Sequence, residues 1–426
     1  MAFNFDFDSP AFWDPAELDK EIHRVFDICQ NCRRCYNLCP SFNTLLDGID
    51  EHDGDVNQLP PATIRTVVDQ CFQCKLCDPH CPYVPPHHWE VDFPRLMLRS
   101  RAARVRVDGV TRQDRMLGEP ERLGAMASHV PGLANWANRN RVFRTVMEKA
   151  VGVHRDFNLP DYASEPFARW FARHAAARGG MTEGSNGKVA FFYTCSVNYN
   201  VPDVGIATVQ VLEHNNIAVI CPEQVCCGMP NLDGGDVAAA RHKAEQNVRS
   251  LAAAVDAGYD IVVPGPTCSY TLKREYPYLV KRDAARTVAE HTFDVCEYLI
   301  RLKQQNRLNL QFVRGAGKIA YHLPCHLRVQ NIGFKSRDLL KLLPDTTVEM
   351  VEKCSGVDGT WGMKREYYEM SLKVARGLFR GLEQAEAAMT VSDCPLAALQ
   401  IAGHEKRPPL HPVQVVRSAY GLEPAQ

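Results

Sequence analysis

Two near-copies of one cysteine run constrain the first part of this chain more tightly than any apolar pattern does: Cys29-x-x-Cys32-x-x-Cys35-x-x-x-Cys39-Pro40 and Cys71-x-x-Cys74-x-x-Cys77-x-x-x-Cys81-Pro82. Cysteines spaced by two residues sit on a tight loop, so three thiolates converge on three irons of one cubane while the fourth reaches elsewhere. Zinc would use paired Cys-x-x-Cys knuckles with four ligands per ion and has no need of a third cysteine at the same spacing. Disulfides between such close neighbours would be kept reduced in a cytoplasmic chain. The acidic stretch Asp47 to Asp55, between the quartets, reads either as a docking surface for a redox partner or as a solvated loop.

The rest of the composition supports a large folded protein. With 426 residues and 45% apolar content the chain builds real cores, and 17 cysteines, an odd number, do not describe a short disulfide scaffold. The net charge of -1 supplies no field for nucleic acid. No apolar run of about 18 residues and no basic-then-apolar start occurs, so neither a membrane span nor a signal peptide is expected, and a cytoplasmic protein is. Charge is uneven: residues 1–94 carry 16 acids and 6 bases, residues 95–178 carry 8 and 16. Arg95, Arg99, Arg101, Arg104 and Arg106, with the stretch Trp136 to Lys149, either lie against an anionic membrane surface or quinone-reducing partner, or neutralise the acidic N-terminal module. Leu133, Trp136, Val142, Phe143, Val146 and Met147 recur at near-helical spacing. Arg178 to Gly187 is a Gly-rich polar run and reads as a linker.

From Lys188 the pattern is α/β, with strand-like runs at Val189–Tyr193, Ile217–Ile220 and Asp260–Pro264 and a helical stretch from Asp236 to Ala257. The order then recurs. Lys318 to Cys325 echoes Lys188 to Cys195, Cys354-Ser-Gly356 echoes Cys226-Cys-Gly228, and Ser392-Asp-Cys-Pro-Leu396 echoes Pro266-Thr-Cys-Ser-Tyr270, at offsets of 130, 128 and 126 residues. This is an internal duplication. In both copies the cysteines fall where a strand hands over to a loop, so a cluster or substrate crevice is expected at the carboxyl ends of the strands. Adjacent Cys226 and Cys227, with Cys195 before and Cys268 after, are best explained as ligands of one polynuclear site.

These motifs carry a resemblance. The N-terminal segment resembles two-cluster bacterial ferredoxins, which implies crossed ligand sets: Cys29, Cys32, Cys35 and Cys81 for one 4Fe-4S cluster, Cys71, Cys74, Cys77 and Cys39 for the other. A cysteine, then Cys-Cys-Gly, then a late cysteine, twice over behind such a module, resembles the cysteine-rich CCG-domain iron-sulfur proteins, which include heterodisulfide reductase subunits. Phe191 to Asn200, Cys226 to Pro230, Pro266 to Tyr270, Tyr321 to His326 and Ser392 to Leu396 look most like the branch containing the C subunit of anaerobic glycerol-3-phosphate dehydrogenase. The full heterodisulfide reductase motif ends in Cys-x-x-Cys; here Gly265 and Val391 stand at the first of those cysteines, and Ser355 replaces the second cysteine of the pair in copy two. Copy one keeps Cys195, Cys226, Cys227 and Cys268, and copy two keeps Cys325, Cys354 and Cys394, as candidate metal ligands. A third cluster, cubane or non-cubane, is expected in the CCG region. His322 and His326 read as hydrogen-bonded structural groups or as replacement ligands. Lys364 and Arg365 read as an anion site or a solvated helix start, and Cys221 and Cys296 as buried thiols.

The expected fold is α/β: an α-helical two-cluster ferredoxin-like module over residues 1–94, an Arg-rich helical connection over 95–187, and CCG domains over 188–315 and 316–426. The resemblance implies an iron-sulfur electron-transfer subunit between a flavin-dependent dehydrogenase, of a small hydroxy acid or polyol phosphate, and quinone or another carrier. Catalytic residues of its own are not identified. A flavin dehydrogenase subunit is the expected partner, with quinone or a membrane surface as further contacts. No nucleotide-binding fingerprint occurs in the sequence. Two other functions fit the motifs less well: a thiol-disulfide reductase acting at a CCG-domain cluster, and a redox sensor or cluster scaffold.

Overall fold

The computed structural model describes residues 6–179 and 184–422, so the run read as a linker lies partly outside the described residues. Before Lys188 the chain is helical. Helices Pro15–Cys32, Pro40–Asp50, Pro61–Gln70 and Phe93–Asp108 each carry proline in the first turn, where a missing N–H sacrifices no helical bond. Asp14 caps the first, accepting from the amides of Ala16 and Glu17 at 2.8 and 3.1 Å, and Asp92 caps the last. Their apolar faces meet over Phe26, Phe42, Leu45, Leu46, Val67 and Leu96, with Phe42 stacked on Phe93 at 4.4 Å. The acidic stretch begins on a helix, because Leu45, Leu46 and Ile49 bury one face of Pro40–Asp50. Asp47 accepts the Tyr36 hydroxyl at 2.7 Å and Asp50 pairs with Arg33, so these carboxylates are engaged internally.

Of the five arginines between residues 95 and 106, Arg99 and Arg101 are buried, Arg95 and Arg104 half-buried and Arg106 exposed. Arg99 donates to the carbonyls of Phe12 and Ala11 at 2.7 and 2.5 Å. Arg101 donates to those of Val68 at 2.7 Å, Asp233 at 2.9 Å and Cys71. Arg104 pairs with Asp69, Arg95 with Asp92 and Glu275, and the Arg106 guanidinium lies 4.6 Å from the Trp13 ring centroid. These five side chains make contacts within the helical module and, through Arg95 and Arg101, to the α/β half. Four shorter helices come next, Arg112–Leu117, Pro120–Ala127, Pro131–Arg139 and Arg141–Val151.

The second half holds two parallel sheets. Strands β1 (Lys188–Phe191), β2 (Ala218–Ile220), β3 (Asp260–Val263) and β4 (Thr292–Asp294) run in the order β2-β1-β3-β4; β5 (Gly317–His322), β6 (Thr346–Val351) and β7 (Met389–Ser392) run β6-β5-β7. The two orders coincide except at the fourth strand, which in the second copy shrinks to one bridge between Val391 and Leu410. The copies share a core. Helix Pro412–Ala419, following the second sheet, packs on Pro202–His214 of the first, where Val413 and Val416 join Val189, Phe191 and Val262, and Arg417 pairs with Asp203 at 2.5 Å. Among the described residues no helix is long and apolar enough to cross a membrane.

Arg101→Leu leaves three backbone carbonyls without their charged donor. It is expected to lower the unfolding free energy by about 3 kcal/mol in urea denaturation of the iron-loaded chain.

Candidate iron-sulfur centres

The helical module encloses two thiol-lined cavities. Cys29, Cys32, Cys35 and Cys81 line one; Cys39, Cys71, Cys74 and Cys77 line another. The sets are crossed, each taking three cysteines from one run and the fourth from the other, and Phe42 stands in both walls. Backbone at Arg33, Gln73 and Lys75 enters the left-handed region (φ 52°, 57° and 60°), which coils the loops tightly enough for neighbouring thiols to face one point. Burial, and after it the neighbouring thiols, pushes Cys35 up to about 11, while burial and Cys71 push Cys39 up to about 12. Four such thiols can ionise together only around cations, which is the environment a polynuclear iron cluster provides. The donor set fits.

In the first α/β copy, each site cysteine follows the carboxyl end of a strand: Cys195 after β1, Cys226 and Cys227 after β2, Cys268 after β3. Interaction with the neighbouring Cys195 and Cys227 thiols holds Cys226 well below the usual thiol range, while Cys226, Cys268 and burial push Cys227 well above it. The glycine after the pair is required: Gly228 has φ 86°, and a Cβ there would lie 3.2 Å from the Ala240 backbone. The backbone of the pair is clamped. The Cys226 amide donates to Glu121 at 2.7 Å, Asn247 donates to the Cys226 carbonyl at 3.3 Å, and the Tyr276 hydroxyl donates to the Cys227 carbonyl at 3.2 Å.

In the second copy Cys325, Cys354 and Cys394 line one cavity with Asp358, and Leu76 of the helical module and Thr267 of the first copy stand in its wall. Gly356 repeats the role of Gly228: φ is 72°, and a Cβ would fall 2.2 Å from the Ser371 carbonyl oxygen. The Cys354 sulfur accepts from the Gly356 amide at 3.3 Å. Leu76, between Cys74 and Cys77 of the second thiol set, lines this cavity, so that set abuts it.

Both histidines are structural. His322 Nδ1 is 2.9 Å from Ser392 Oγ, and His326 joins all three units through Thr267 Oγ1 at 3.0 Å and the Gln73 carbonyl at 3.1 Å. Lys364 is not an anion site: it pairs with Asp114 at 2.5 Å, and the Arg365 amide bonds the Gly152 carbonyl. Cys296 is fully buried and Cys221 partly so. Sequence reasoning missed Asp358, Glu121 and the buried charges between the units, Lys75, Asp233 and Glu275. Ser355 signals a lost ligand in copy two, but nothing in the sequence says that a carboxylate three residues later turns back into the same cavity. Burial pushes Asp233 and Asp358 up to about 7 against the pull of Lys75, which lies 3.6 Å from Glu275.

Residues 189–273 and 319–402 each match the family model of the cysteine-rich CCG domain, and residues 22–106 match the Fer4-like domain of citrate utilization protein B. The chain is 30% identical over 219 residues to lactate utilization protein A of Geobacillus kaustophilus (strain HTA426), covering 49% of this chain and 87% of that protein. This chain belongs to the CCG-domain iron-sulfur protein family. Within the family it is similar along most of its length to two further proteins. It is 26% identical over 397 residues to the C subunit of anaerobic glycerol-3-phosphate dehydrogenase of Escherichia coli (strain K12), covering 83% of this chain and 99% of that protein. It is 22% identical over 420 residues to the glycolate oxidase iron-sulfur subunit of the same organism, covering 95% and 96%.

Burial depresses His322 to about 4. Between pH 6.5 and 4 the unfolded chain binds a proton at this residue and the folded chain does not, so acidification across this window destabilises the fold. His322→Gln is expected to lose about 2 kcal/mol less than the parent between pH 7 and pH 5, read from urea midpoints at each pH.

Proposed function

We propose that this member of the family is the electron-transfer subunit of a flavin-dependent dehydrogenase acting on a small hydroxy acid or polyol phosphate. In this reading Cys29, Cys32, Cys35 and Cys81 hold one 4Fe-4S cluster and Cys39, Cys71, Cys74 and Cys77 a second, while the thiols of the CCG copies hold at least one more. The clusters supply one-electron storage and transfer. The single observation that carries the reading is the contiguity of the three thiol groups. Phe42 walls both cavities of the helical module, Leu76, between Cys74 and Cys77, lines the cavity of the second copy, and His326 ties Gln73 to Thr267, the neighbour of Cys268. The names of the relatives, an iron-sulfur subunit and a dehydrogenase subunit among them, support a flavoprotein partner.

The chain's own residues hold this line of sites rigid and dry. Arg101 locks the loop at Cys71 to Asp233, Trp361 Nε1 donates to the Asp69 carbonyl at 3.1 Å, and Lys75 is buried against Glu275 beneath the second thiol set. Fixed surroundings keep reorganisation small when charge changes, and the buried cations offset part of the thiolate charge. Disulfide reduction at a CCG-domain site is a weaker reading, because Gly265, Val391 and Ser355 stand where the full motif has cysteines.

For location, we propose association with an anionic membrane surface through the short helices of the middle region. Met126, Val130, Leu133, Trp136, Val142, Phe143 and Val146 are exposed there, Val142 by 76%, with Arg141 and Lys149 beside them. Scattered exposed apolar residues need no explanation, but seven within 21 residues next to cations describe an interfacial face. A quinone acceptor would be met at that surface.

Two measurements test these readings. The anaerobically purified chain, reduced with dithionite and mixed with a water-soluble quinone, is expected to bleach and recover its cluster absorbance. Cys39→Ser is expected to slow recovery about tenfold or more while preserving the signal of the Cys29 set; recovery at the parent rate would remove the relay. The chain is also expected to sediment with phosphatidylglycerol vesicles at low salt, and Trp136→Ser with Phe143→Ser to weaken this about tenfold.

A further inference from the structure

We propose that Asp358 is the fourth protein ligand of an iron-sulfur cluster held by Cys325, Cys354 and Cys394, its carboxylate taking the place of the thiolate lost at Ser355. The proposal rests on the reading that the CCG copies hold a cluster, and assigns one to the second copy. Three thiols converge there where the first copy brings four, and Asp358 faces the same cavity. The side chain is 4% exposed. Its backbone has φ 26° and is followed by Gly359 at φ 53°, a turn that folds the carboxylate back toward Cys325.

The donor geometry fits. Asp358 Oδ2 is 3.9 Å from Cys325 Sγ, Oδ1 is 3.9 Å from His326 Nε2, and one donor atom from each of the three lies within 4.8 Å of the others. His326 does not compete for the metal, since its two nitrogens are occupied by Thr267 and the Gln73 carbonyl. Lys75, whose charge acts on Asp358, directs its own ammonium to Gln73 at 2.7 Å and Glu275 at 3.6 Å. The carboxylate is thus left as the donor that completes the thiol set.

Three soft thiolates select an iron-sulfur cluster, and one hard oxygen ligand makes one iron unlike the other three and more easily lost. The first copy keeps four thiols, Cys195, Cys226, Cys227 and Cys268, and needs no carboxylate to complete its set. The two CCG copies are thus chemically distinct: an all-thiolate site and a site with one exchangeable iron facing the junction of the three units.

The test uses the full chain, purified anaerobically and reconstituted with iron and sulfide, in four forms: parent, Asp358→Cys, Asp358→Asn and Cys354→Ser. Ferricyanide takes one electron from the oxygen-ligated cluster, one ferrous ion leaves, and a three-iron core remains. The parent is expected to release that ferrous ion to a chelator and to develop the three-iron EPR signal. Asp358→Cys is expected to retain the iron, with release slowed about tenfold or more, and the near-isosteric Asp358→Asn to be isolated already lacking it. Equal release from parent and Asp358→Cys, with Cys354→Ser still removing iron from the chain, overturns the carboxylate ligand and leaves the cluster standing. Iron content unchanged by Cys354→Ser, or zinc in place of iron, overturns the cluster in the second copy and the proposal with it.

Discussion

Every feature of this protein follows from the cost of burying thiols in groups. A single buried thiol behaves as a small apolar side chain, but three or four facing one cavity become useful only when they ionise together, and burial opposes that strongly. Iron resolves the conflict. The rest of the fold holds the thiols in position: left-handed residues coil the loops of the helical module, and Gly228 and Gly356 bend the chain so that cysteines beyond β2 and β6 face their partners. The parallel sheets place the seven candidate ligand cysteines of the duplicated half beyond strand ends, where backbone is free to turn and bind.

The buried polar network between the units gives the module and the duplicated half a fixed relation. Arg95, Arg101, Lys75, Asp233, Glu275 and His326 each reach from one unit into another or accept such a contact. A buried charge removed from its partner is expensive, so such a network specifies one arrangement and disfavours sliding. Contiguity of thiol sites without this fixation would leave the distance between them variable, and with it any transfer of charge.

Much of this was legible in the residues. The two cysteine runs carry the resemblance to two-cluster ferredoxins that implies crossed thiol sets, and the offsets near 128 announce two α/β copies, because the runs are local and the copies periodic. Strand positions near Val189, Ala218 and Asp260 followed from apolar runs, and the one at Lys318 from its echo of the first copy. The hidden features depend on distant pairing. Arg99 and Arg101 look like a basic surface until backbone carbonyls from residues 11, 12, 68, 71 and 233 are brought to them. The helical periodicity around Leu133 and Trp136 announced amphipathic helices but not what their apolar face meets, and the structure leaves that face exposed. Asp358 was silent for the same reason as Arg101: its significance lies in Cys325, 33 residues away, and not in its neighbours along the chain.

A line of redox sites running out of the helical module requires iron in the duplicated half. The most direct measurement is the iron and acid-labile sulfide content of the anaerobically purified chain, with EPR of its reduced and oxidised forms. About twelve or more irons per chain are predicted, with signals beyond those of two cubanes. About eight irons, with only two cubane signals, would contradict this, leaving the duplicated half without the clusters that continue the line.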